Sequence, residues 1–111
     1  MTVEQTGAID FIHVAKVSGD IRLTIVDHLP WNKDEGAHLL LLQKKLNNYL
    51  EFIESGQILE QIPDARNRKM VINVVGEYPL SDAAKVFLKK ADDLASKKLG
   101  INLIFSLRHP A

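Results

Sequence analysis

The sequence predicts an α+β fold: a two-layer sandwich of order β-β-α-β-α-β, with an N-terminal hairpin and a mixed four-stranded sheet carrying two helices on one face. Three observations predict it. Two alternating or β-branched runs, residues 9–17 and 21–29, flank the turn Ser18-Gly19-Asp20, and strands joined so closely must pair antiparallel. Two later stretches carry apolar residues at three- and four-residue spacing, the mark of amphipathic helices. Each of those is followed by another alternating run, and strand–helix–strand units of this length are crossovers between parallel strands. The sheet face away from the helices is then open, or covered by a second copy of the chain.

The elements follow in order. Residues 9–17 are rich in β-branched and aromatic side chains on both faces, so part of this strand is expected to be covered on both sides. In residues 21–29, Ile21, Leu23, Ile25 and Leu29 alternate with Arg22, Thr24 and His28, and Pro30 stops the strand. Asn32, with Glu35 three residues on, reads as the capped start of the first helix. Its apolar stripe is Leu39, Leu42, Leu46, Tyr49 and Ile53, and it runs to Ser55, with Gly56 at the left-handed C-terminal position. Leu40, Leu41, Leu50 and Phe52 widen that stripe, which predicts burial against a second surface: another helix, or a partner. Gly36, in the first turn, costs about 1 kcal/mol against alanine and marks close approach of another backbone.

Residues 57–69 read as a connector without regular structure, containing Pro63-Asp64 and the basic residues Arg66, Arg68 and Lys69. Met70, Ile72 and Val74 alternate with Val71, Asn73 and Val75 in the third strand. Ser81 caps the second helix, with Asp82 in its first turn; Ala84, Phe87, Leu88, Ala91, Leu94 and Ala95 form the apolar face. Lys89, Lys90, Asp92, Asp93, Lys97 and Lys98 form the solvated face, and Gly100 ends the helix. Ile101, Leu103, Phe105 and Leu107 make the last strand. Residues 1–8 are polar and without period, and are expected to be disordered. With 108–111 as a short tail, residues 9–107 form one domain.

Composition narrows the function. The chain has no cysteine, which excludes disulfides, cysteine-ligated zinc, iron–sulfur clusters and thiol nucleophiles. Fourteen basic and fourteen acidic side chains balance, so there is no global positive excess to neutralise nucleic-acid phosphates. Arg66, Arg68 and Lys69 surround Asn67 without an aromatic neighbour for base stacking, and read as a solvated loop. The longest apolar run is four residues, Leu39 to Leu42, against the about 20 that a membrane helix needs. A cytoplasmic protein that binds neither nucleic acid nor membrane is expected.

The polar residues with chemical potential gather at the junction of the second strand and first helix: Asp27, His28, Trp31, Glu35 and His38. Glu35 and His38, three apart on a helix, share a face, and Asp27 or His28 could approach them from the strand end. Imidazole and carboxylate donors suit zinc or another divalent metal, and an open coordination position would support hydrolysis. The plainer reading is structural: Asp27 helps start the helix, Trp31 plugs the core edge and His38 is a partly buried polar residue. No HExxH spacing, Gly-x-Ser-x-Gly elbow or glycine-rich phosphate loop is present, so no catalytic residue, metal or cofactor is assigned. The expected function is a protein-interaction module, homo-oligomeric or with a dedicated partner. A metal-dependent or hydrolytic junction site is the alternative. Trp31, at an element edge, is the residue expected at a protein interface.

The string Asp27-His28-Leu29-Pro30-Trp31, with His38-Leu39, residues 42–50 and residues 52–58, resembles an uncharacterised bacterial domain family. The proline-containing segment 62–65 and the strand 71–75 extend that resemblance over residues 9–107. The family implies a self-contained domain and brings no activity, cofactor or catalytic residue with it. Pro30 stands where many relatives are expected to carry an acidic residue, which weakens a two-carboxylate site at this junction.

Overall fold

A computed structural model describes residues 11–108. The strands are β1 (Phe11–Val14), β2 (Ile21–Asp27), β3 (Met70–Gly76) and β4 (Ile101–Leu107); the helices are α1 (Glu35–Glu54), α2 (Gln57–Gln61) and α3 (Asp82–Leu99). The expectations for residues 1–8, Ile9, Asp10 and 109–111 lie outside the described residues. The sheet order is β1-β2-β3-β4, with β1 antiparallel to β2 and the other pairs parallel. This is the expected mixed four-stranded sheet. Because β2, β3 and β4 advance in one direction, right-handed crossovers put α1 and α3 on the same face.

The pattern of β2 shows the two-layer logic. Ile21, Leu23, Ile25 and Asp27 are buried beneath the helices, while Arg22, Thr24 and Val26 alternate onto the other, partly exposed face. Register aligns Leu23 with Ile72 and Leu103, so the helix-facing core runs across all three parallel strands. Leu42, Leu46, Tyr49 and Phe52 of α1 and Ala84, Leu88 and Ala95 of α3 pack onto it. The Tyr49 hydroxyl donates to the Thr24 carbonyl at 2.8 Å, fixing α1 along β2.

Several local expectations are corrected. The first helix begins at Glu35 and its cap is Asp34, whose side chain accepts from the Ala37 amide at 3.2 Å; Asn32 stands outside the helix. An aspartate two residues nearer the helix satisfies an orphan N–H that Asn32 is too far back to reach. A Cβ added at Gly36 would meet nothing within 4 Å, so no backbone packs closely there. The hairpin loop is longer than a three-residue turn. The Gly19 amide donates to the Ala15 carbonyl, and the Ala15 amide to the Asp20 carbonyl, both at 2.8 Å.

The connector is structured. Gly56, at φ 85°, breaks the backbone direction between α1 and α2, and a 3-10 turn at Pro63–Ala65 follows. Ile58 and Ala65 are buried, so apolar anchoring holds a segment that reads as polar overall. Arg68 then ties two loops together: its Nε donates to the Asp64 carbonyl at 2.8 Å and its Nη1 to the Gly19 carbonyl at 3.0 Å. Asp92, expected on the solvated face of α3, is half-buried and accepts from the Leu103 amide at 2.8 Å, covering a donor on the edge strand. Ser81 and Gly100 cap α3 as expected, with Gly100 at φ 66°.

Candidate functional site: the strand–helix junction and the interhelical groove

The junction brings together three of the five residues that the sequence singles out. Asp27 is the last residue of β2 and points to the helix face; His38 lies in the first turn of α1, whose start is fixed by the Asp34 cap. Their side chains meet with His38 Nε2 at 2.5 Å from Asp27 Oδ2. The second carboxylate oxygen accepts from the Leu29 amide at 3.1 Å, which turns the chain away from the strand. Trp31 lies flat on the imidazole, ring centroids 3.5 Å apart and planes 16° from parallel. Asp27, Trp31 and His38 are all buried, at 2%, 8% and 3% exposure.

The other two residues do not join them. Glu35 is exposed in the first turn of α1 and His28 is half-buried just past the strand. Among the described residues, no group of three His, Asp or Glu side chains could hold a metal ion. Zinc takes three or four protein ligands, and the junction offers a sealed pair. His38 Nδ1 is buried without a hydrogen-bond partner among the described residues. Chemically this is a clamp: a buried charge-assisted bond and an aromatic stack fix the loop between β2 and α1.

Lys45 is a second polar residue on the same helix face, and it is fully buried. Its Nζ lies 5.7 Å from the centroid of the Tyr49 ring. In sequence it is one of two adjacent lysines, Lys44 and Lys45. The signal was in the spacing: His38, Leu42, Lys45 and Tyr49 fall at four, three and four residues, one stripe of a helix.

A different surface is open. Between the outer faces of α1 and α3 lies a groove of about 540 Å³. Leu46, Leu50, Phe87 and Ala91 contribute its apolar floor. One wall, from α1, carries Glu51 and Glu54; the other, from α3, carries Lys90 and Lys98. Among the described residues no ion pair joins those walls. Leu94, expected in the core, is 57% exposed at the groove. Leu40 and Val86 are also half exposed, and helical spacing puts Leu40 in line with Gln43 and Asn47, and Val86 in line with Lys90 and Leu94. They carry the apolar strip beyond the N-terminal end of the groove. The broad stripe of α1 signalled this second surface, although nothing in the sequence marked where it would open.

The fold and these two features define a small two-layer α+β domain with a sealed polar clamp and an unfilled interhelical groove. The chain belongs to a family of unknown function, DUF6572, which matches it over residues 1–109. No curated protein and no solved structure matches the chain.

Proposed function

We propose that this domain is a protein-interaction module that works through the groove between α1 and α3. The observation that carries the reading is the apolar floor of that groove, left open between charged walls and extended by three exposed aliphatic side chains, Leu40, Val86 and Leu94. Small monomeric domains seldom leave contiguous apolar strips rimmed by polar residues in water; such strips mark contact sites. The open sheet face is a poorer candidate. Its rows read Phe11, Thr24, Asn73 and Ile104, then His13, Arg22, Val71 and Asn102, then Val26, Val75 and Ser106, so each row carries at least one polar side chain. The junction is a poorer candidate for chemistry, because its polar atoms are buried and only two donors converge.

Trp31 takes no part in this reading, since its ring is spent on His38. A photo-crosslinking amino acid placed at position 94 in living cells tests the surface, with position 104 on the open sheet face as the comparison. Protein adducts from position 94 and not from 104 are expected. Adducts from 104 alone, or from neither, contradict the groove as the contact surface.

A further inference from the structure

We infer that the occupant of the α1–α3 groove is the same groove of a second copy of the chain, in a two-fold dimer whose axis runs along the groove. This rests on the reading of the groove as a contact surface and names what fills it. The observation is the sorting of charge: acid on the α1 wall at Glu51 and Glu54, base on the α3 wall at Lys90 and Lys98, with no ion pair between the walls among the described residues.

Such a surface is complementary to itself in one orientation. Both helices run back against the parallel strands, so they point the same way on either side of the groove. A two-fold axis along the groove lays α1 of each copy on α3 of the other, and each acidic wall then meets a basic one twice over. An axis across the groove would set α1 on α1, acid on acid and base on base. A two-fold interface uses one patch on both subunits, so each favourable contact occurs in duplicate. The floors, with Leu50, Phe87 and Leu94, close against each other as the apolar centre, and the charged walls form the rim. The result is a four-helix layer between two sheets, with Leu94 of each copy removed from water.

Charge reversal tests this arrangement against every other. One variant carries Glu51→Lys and Glu54→Lys, the other Lys90→Glu and Lys98→Glu; all four side chains are exposed, so the fold is expected to be kept, which circular dichroism checks. Sedimentation equilibrium is expected to give a dimer for the wild type. Each variant alone is expected to associate at least roughly tenfold more weakly, since like charges now face each other across the rim. An equimolar mixture of the two should regain the dimer, because the reversed wall of each meets the reversed wall of the other. A monomeric wild type, variants that dimerise unchanged, or a mixture that stays monomeric overturns the inference. If the wild type is monomeric while the crosslinker at position 94 captures a different protein, self-pairing falls and the groove remains a contact surface. If position 94 captures nothing as well, both fall.

Discussion

The imidazole of His38 is held on two sides, by the Asp27 carboxylate at 2.5 Å in its plane and by the Trp31 indole 3.5 Å above it. One residue ends a strand, one opens a helix and one sits in the loop between, so the three side chains together fix how β2 feeds α1. A buried bond of this kind is costly to break from one side only, because the partner left behind stays desolvated. His38→Ala is expected to lower the unfolding free energy by about 3 kcal/mol, measured by urea denaturation. A loss below about 1 kcal/mol would show that the pair contributes no more than an ordinary surface contact.

Trp31 is the chain's one tryptophan, so a cycle that removes it is read by urea denaturation followed by circular dichroism rather than by fluorescence. A double-mutant cycle of Trp31→Ala and His38→Ala should return a coupling of about 1 kcal/mol, the contribution of an aromatic stack beyond its buried area. Additive losses would mean that the two rings stabilise the fold independently.

The start of α1 separates two caps that stand two residues apart. Asp34→Ala is expected to cost about 1 kcal/mol, read by thermal or urea unfolding. Asn32→Ala, at an exposed position outside the helix, should stay within about 0.5 kcal/mol of the wild type. The reverse order would move the helix start back to Asn32.

Gly76 ends β3 under the Phe105 ring. A Cβ there would lie 2.7 Å from the ring edge and 3.3 Å from the Tyr78 carbonyl oxygen. Gly76→Ala is expected to cost about 1–3 kcal/mol by overpacking. Adding Phe105→Leu, which withdraws the ring, should cost less than the sum of the single changes. Simple additivity would show that the ring is not what keeps a side chain out.

The four strands, the two long helices, the hairpin and the caps of α3 were legible in the sequence, because each rests on local pattern: period two, period three to four, Ser81 before the helix and Gly100 after it. Features set by tertiary contact were not. The connector is held by buried Ile58 and Ala65 and by Arg68 reaching a loop 49 residues away, and none of these announces itself in a polar stretch. Asp92 looks like a surface acid until the edge strand brings the Leu103 amide to it.

The candidate site divides the same way. The sequence grouped Asp27, His28, Trp31, Glu35 and His38 by nearness along the chain, and the fold draws Asp27, Trp31 and His38 into contact. It also placed Trp31 at a protein interface, whereas stacking on His38 buries the ring. The groove depends on how far α1 and α3 stand apart over the sheet, and the apolar pattern of α3 alone assigns Leu94 to the core.

Sedimentation equilibrium of the wild type beside Leu94→Asp tests the central claim most directly. The wild type is expected at twice the 12.5 kDa chain mass, and Leu94→Asp, which puts a carboxylate at the centre of the paired grooves, at 12.5 kDa with unchanged circular dichroism. A wild type at 12.5 kDa throughout the accessible concentration range, or a Leu94→Asp variant still at twice that mass, would contradict it.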